Sequence, residues 1–106
     1  ITVSALVWVS ACGPSCKDPA KAPSYATNVE RIVSKKCIDC HSIHSKDRHG
    51  APDDTNYDSY ADAKRVAHDI ASRVDSGNMP PATSDEVLTA AEKETIVQWG
   101  ACGGKP

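Results

Sequence analysis

The chain is 106 residues long, a single-domain length, and its 12 Lys+Arg against 14 Asp+Glu leave a net charge of −2, which excludes a protein that holds nucleic acid by neutralising phosphates. Charged residues at 25% and hydrophobic residues at 40% exclude a disordered chain. The core material is unusual, with no Phe, 2 Trp, 3 Tyr and 1 Met beside 5 Cys, so a domain of this size needs disulfides, a metal or a cofactor to complete its interior.

Ile1 to Ala11 carries no charge and is mostly apolar, and the composition changes abruptly at Cys12-Gly13-Pro14. A stretch of this length matches the apolar core of an export signal and falls short of the ~20 residues that span a bilayer. Residues 1–11 are therefore expected to be a signal-peptide remnant. Val9-Ser10-Ala11-Cys12 supplies the small residues of a cleavage site and is similar to the lipobox of bacterial lipoproteins, in which Cys12 becomes the lipid-bearing N-terminus. A plain secretory signal cut at the same place, or the end of a membrane anchor, are the alternatives. Each exports the domain, to the periplasm or to a membrane surface where the lipid holds it, and each permits disulfides.

Residues 12–24 hold three Pro and no apolar periodicity and read as a tether to a domain spanning 25–106. Val29, Ile32, Val33 and Cys37 follow helical spacing, which predicts a helix over 28–36 with Thr27 or Asn28 as N-cap. Ser42 to Tyr57 is polar, carries Gly50 and Pro52, and reads as a loop. Ser59-Tyr60-Ala61-Asp62 has the form of a capping box, and the stripe Tyr60, Ala63, Val66, Ala67, Ile70 and Val74 predicts a helix over 59–76 closed by Gly77. Thr89-Ala90-Ala91-Glu92 is a second capping box and opens a helix over 89–101. No segment alternates long enough for a strand, so the fold class is all-α.

Cys37-Ile38-Asp39-Cys40-His41 is a C-x-x-C-H motif, the attachment signature of c-type haem. The two thiols can form thioethers with one edge of the porphyrin, while the adjoining imidazole serves as an axial iron ligand. With 5 Cys and 4 His in the chain, about 0.01 accidental matches are expected. A thioredoxin-type dithiol uses the same C-x-x-C but needs a βαβ context that is missing here. A zinc site recruiting His44 or His49 would have ligand spacings far shorter than the usual finger pattern.

Met79 lies in a Gly-Asn-Met-Pro-Pro loop between two helices, which favours ligation of iron by its soft thioether over gap-filling in a core. His68 sits two positions from Ile70, about 160° around the helix from the apolar stripe at ~100° per residue, and reads as a surface residue. His49 is either a hydrogen-bond partner near the cofactor or an ordinary loop residue. Cys16 and Cys102 remain once Cys12, Cys37 and Cys40 are set aside. They form a candidate disulfide, with two free thiols or a pair involving Cys12 as alternatives. Five cations between Arg31 and Arg48 face two Asp, so the motif is expected to sit in a locally positive region, against a mere scatter of solvated charges.

In these residues the chain resembles the small monohaem class I cytochromes c. The resemblance spans about residues 25–104 and rests on Cys37-Ile38-Asp39-Cys40-His41, on His49-Gly50-Ala51-Pro52, on Ser76-Gly77-Asn78-Met79-Pro80-Pro81, and on the terminal helix Ala91 to Trp99. It implies that the first and last helices cross while a methionine loop closes the far face of one covalent haem c. The family often places a Gly in the first helix beneath the last helix's aromatic residue, and Val29 to Lys36 has none. The expected function is one-electron transfer rather than catalysis, through an iron ligated by His41 and Met79. The expected protein is an exported monomer that meets redox proteins. The alternatives are a haem module with an open distal site for a small ligand, and a cytochrome subunit of a larger oxidoreductase.

Overall fold

A computed structural model describes residues 13–106, so the export-signal and lipobox readings, Cys12 included, lie outside the described residues. Among the described residues the fold is all-α, with four α-helices and no strand: α1 Glu30–Lys36, α2 Tyr60–Arg65, α3 Ala67–Asp75 and α4 Ala90–Ala101.

The first predicted helix begins earlier and differently. Ser24, extended at φ −100° and ψ 151°, caps a π-helical turn Tyr25–Val29 that runs straight into α1. Its hydroxyl accepts from the Thr27 N–H at 3.2 Å, and its own N–H donates to Asn28 Oδ1 at 3.0 Å. Asn28 thus serves the cap from inside the turn instead of being the cap, because its amide oxygen reaches back to a donor the helix leaves unpaired.

The predicted helix over 59–76 is broken at Val66, whose φ of −119° and ψ of 26° are not helical. The apolar stripe still runs across the break, burying Ala63, Ala67, Ile70 and Val74, so periodicity alone could not reveal it. Ser59 caps α2, and Gly77, at φ +83°, follows the end of α3 as its left-handed terminator. The helix α4 matches its sequence signal closely. Thr89 Oγ1 accepts from the Glu92 N–H at 3.1 Å while Glu92 Oε1 accepts from the Thr89 N–H at 2.9 Å, completing the capping box.

The core is made by α3 lying along α4, with the π-helical turn crossing α4 at one end. Close approach is set by small residues. A Cβ added to Gly100 would stand 2.6 Å from the Ala71 Cβ and collide with the Ala67 carbonyl. The glycine that admits a neighbouring helix is therefore on the last helix, facing α3. At the same end Trp99 is fully buried, with Tyr25 5.7 Å away centroid to centroid and Tyr60 5.1 Å beyond Tyr25. The C-terminal tail seals this cluster: Trp99 Nε1 donates to the Lys105 carbonyl at 2.9 Å and Tyr60 Oη to that of Gly104 at 2.6 Å.

The Pro-rich stretch expected to be a tether lies against α4. Gln98 grips both sides of Cys16, its Oε1 accepting from the Lys17 N–H at 2.9 Å and its Nε2 donating to the Ser15 carbonyl at 3.2 Å. Cys16 and Cys102 are joined by a disulfide, and Lys17 Nζ pairs with Glu94 at 2.8 Å. Covalent closure and hydrogen bonds with the Gln98 side chain hold this segment, neither of which needs apolar periodicity. No helix among the described residues is long and apolar enough to cross a membrane.

Candidate functional site

Beyond α1 the chain keeps turning helically: the Cys37 N–H donates to the Val33 carbonyl at 3.0 Å and the His41 N–H to the Cys37 carbonyl at 3.0 Å. Residues at i, i+3 and i+4 of such a turn share a face. Cys37, Cys40 and His41 accordingly line one cleft with predominantly apolar walls. Val74 of α3 and Ile96 of α4 contribute to those walls, and the loop after α3 brings Met79, Pro80 and Pro81 to the same cleft. The Met79 N–H donates to the Arg73 carbonyl at 3.1 Å, which ties this loop to the end of α3, and the Met79–Pro80 peptide is cis. Four residues singled out by sequence, from two distant segments, thus meet in one place.

The imidazole of His41 is held on two sides. Its Nδ1 lies 3.0 Å from the Thr55 carbonyl. A carbonyl only accepts, so Nδ1 carries the proton and Nε2 retains its lone pair. The ring stacks on Tyr57 at 4.6 Å and 28°, and the Tyr57 N–H donates to the His41 carbonyl at 2.7 Å. Burial lowers the His41 pKa below its ordinary value, with Arg48 and Arg73 acting in the same direction and the bond to Thr55 opposing them. The neutral ring is the form in which an imidazole binds a metal.

The two thiols are free. Burial, reinforced by Glu86 and Cys40, pushes the Cys37 thiol up to about 12, and burial followed by Asp39 raises that of Cys40. A dithiol redox pair requires the opposite, a lowered pKa that makes a thiolate.

The loop between His41 and α2 is pinned at both ends. Asp58 accepts from the Ser42 hydroxyl at 2.5 Å and the Ile43 N–H at 3.0 Å, which holds its carboxyl below the usual carboxylate range. Inside the loop, the Arg48 guanidinium donates to several backbone carbonyls. His68 is exposed on α3. His44 and His49 are exposed beside a separate surface hollow, where His49 pairs with Asp47 at 3.5 Å. Of the five cations expected to make the region positive, Arg48 is turned into its own loop and Lys36 Nζ donates to the Val87 carbonyl at 2.7 Å.

No family model, curated protein or solved structure matches the chain.

The donors of the site set what it can hold. Among the described residues no group of three or more His, Cys, Asp or Glu is placed to bind a metal ion. Two thiols on one helical face, an imidazole with its Nε2 lone pair kept, a thioether across the chain and apolar walls between them fit a flat macrocycle bound at one edge. Sequence reasoning missed Tyr57, Thr55, Arg48 and Asp58 as supports of His41. Their only sequence signal is membership of the loop that follows the motif, since carbonyl contacts and ring stacking leave no periodic trace.

Proposed function

We propose that the protein is a one-electron carrier of the class I cytochrome c type, exported and carrying one covalent haem c. The observation that carries this reading is the convergence of Cys37, Cys40, His41 and Met79 on a single apolar cleft. Cys37 and Cys40 would anchor the haem by thioethers, and His41 and Met79 would be its axial ligands. When bound, that group supplies an iron that cycles between Fe(III) and Fe(II), and ligation by methionine raises its reduction potential. With its iron held by these two side chains, no open position would be left for a substrate, and transfer of an electron to a protein partner would be the work of the site. Lipid attachment at Cys12 would keep the carrier at a membrane surface; without it the protein would be periplasmic.

Optical and near-infrared spectra of the oxidised and reduced protein test the reading. A haem that stays with the chain on denaturation, together with a sulfur-to-iron band in the oxidised form, is the expected result. Absence of covalent haem overturns the carrier assignment, and ready binding of carbon monoxide to the reduced, folded protein replaces it with the open-site reading. Copurification with an oxidoreductase from membranes would make the chain a subunit instead of a free carrier.

A further inference from the structure

Arg48 organises the loop after the motif and meets His41 through one shared atom. Its side chain is 18% exposed, and its N–H groups are directed at backbone oxygen. Nη1 donates to the Ser42 carbonyl at 2.6 Å, Nη2 to those of Pro52 at 2.5 Å and Thr55 at 3.1 Å, and Nε to that of Ala51 at 3.3 Å. Asp53 stands 3.9 Å from Nε and is fully exposed, so ion pairing contributes little. The Thr55 carbonyl also accepts from His41 Nδ1, at 3.0 Å. Its two lone pairs are thus divided between the imidazole and the guanidinium.

We propose that Arg48 is a positioning residue for His41, setting both the direction of the imidazole and its strength as a donor through the shared Thr55 carbonyl. The part concerning donor strength rests on His41 being an iron ligand, as proposed above. The direction follows because Arg48 connects Ser42, next to His41, with Thr55 and so holds the carbonyl where Nδ1 meets it. Donor strength follows because a carbonyl engaged by a cation attracts the Nδ1 proton less. The ring then has less imidazolate character, donates less charge through Nε2, and favours the reduced iron. A guanidinium is suited to this task, since its planar fork reaches several carbonyls where an ammonium offers one point charge.

The test uses the protein as isolated, in wild-type form and as Arg48→Gln, Arg48→Lys and Lys46→Gln, the last removing an exposed cation from the same loop. Two readouts are taken: the ratio of reduced to oxidised protein at a fixed ambient potential, and the exchange-protected Nδ1–H proton signal of His41 in the reduced form. Arg48→Gln is expected to lower the ratio about tenfold, ~59 mV for one electron, and to move the Nδ1–H signal downfield as the Thr55 carbonyl draws that proton more strongly, with far-ultraviolet circular dichroism unchanged. Arg48→Lys is expected to rescue neither, and Lys46→Gln to alter neither. Rescue by Lys, or an equal shift in Lys46→Gln, would reduce Arg48 to a nearby charge and overturn the proposal, as would an unchanged Nδ1–H signal in Arg48→Gln. If the wild-type protein carries no haem, the carrier reading fails by itself, and a displaced His41 Nδ1–H signal in both Arg48 variants still supports the positioning role.

Discussion

Met79 is half-buried, packs against the core and lines the cleft, so a ligand and a space-filler are both compatible with its surroundings. Met79→Ala separates them. As the ligand, its loss is expected to lower the reduction potential and let the reduced protein bind carbon monoxide; an unchanged potential with only a lower melting temperature would leave Met79 as packing. Asp58 gives the second prediction at this scale. Its folded pKa is depressed from 3.8, first by the Ser42 hydroxyl and then by the Ile43 N–H. A depressed carboxyl stabilises the fold fully above the unfolded value, and that contribution fades as pH falls from about 4 through the folded value. Asp58→Asn should therefore be less stable than wild type at neutral pH, and the gap should close below pH ~4 in denaturant titrations.

At the scale of elements, the pairing of α3 with α4 depends on Gly100. Alanine there would gain helix propensity of just under ~1 kcal/mol but place a Cβ against the Ala67 carbonyl and Ala71. Backbone cannot yield as a flexible side chain can. Gly100→Ala is expected to destabilise the protein by about 1–3 kcal/mol net, as overpacking does, seen as a lower melting temperature. The break at Val66 shows how far the helices themselves were legible: the stripe from Tyr60 to Val74 identifies the buried face, yet the sequence pattern is the same whether or not the helix is interrupted. Capping signals were more informative at α4, where Thr89 and Glu92 satisfy each other locally.

For the whole molecule, two staples supplement a small core. The Cys16–Cys102 disulfide closes a sequence separation of 86, for which loop-closure entropy gives an upper bound of ~4 to 5 kcal/mol. The double variant C16S/C102S is expected to lose up to that amount in chemical denaturation and to free residues 13–24 for hydrogen exchange. The spectrum of the proposed haem should not change, since neither cysteine lines the cleft. The second staple is the proposed haem. Among the described residues Trp99 is the one aromatic with no exposed surface, and Tyr57 is the one buried aromatic that lines the cleft. Chain produced without haem attachment is expected to lack a cooperative thermal transition, and a sharp transition in that material would show that the protein core suffices.

The sequence by itself determined whatever depends on neighbours along the chain: the all-α class, the capping box of α4, the common face of Cys37, Cys40 and His41, and the exposure of His68. These follow from local hydrogen bonding and from the 3.6-residue period. Tertiary structure decided what depends on contacts between distant segments. It brought Met79 to the cleft, tied residues 15–17 to α4, moved the small-residue contact to Gly100, and gathered Thr55, Tyr57 and Arg48 around His41. The physical reason is that a carbonyl, a ring face or a missing Cβ can serve any partner that folding brings to it, and none of them marks that partner in the sequence.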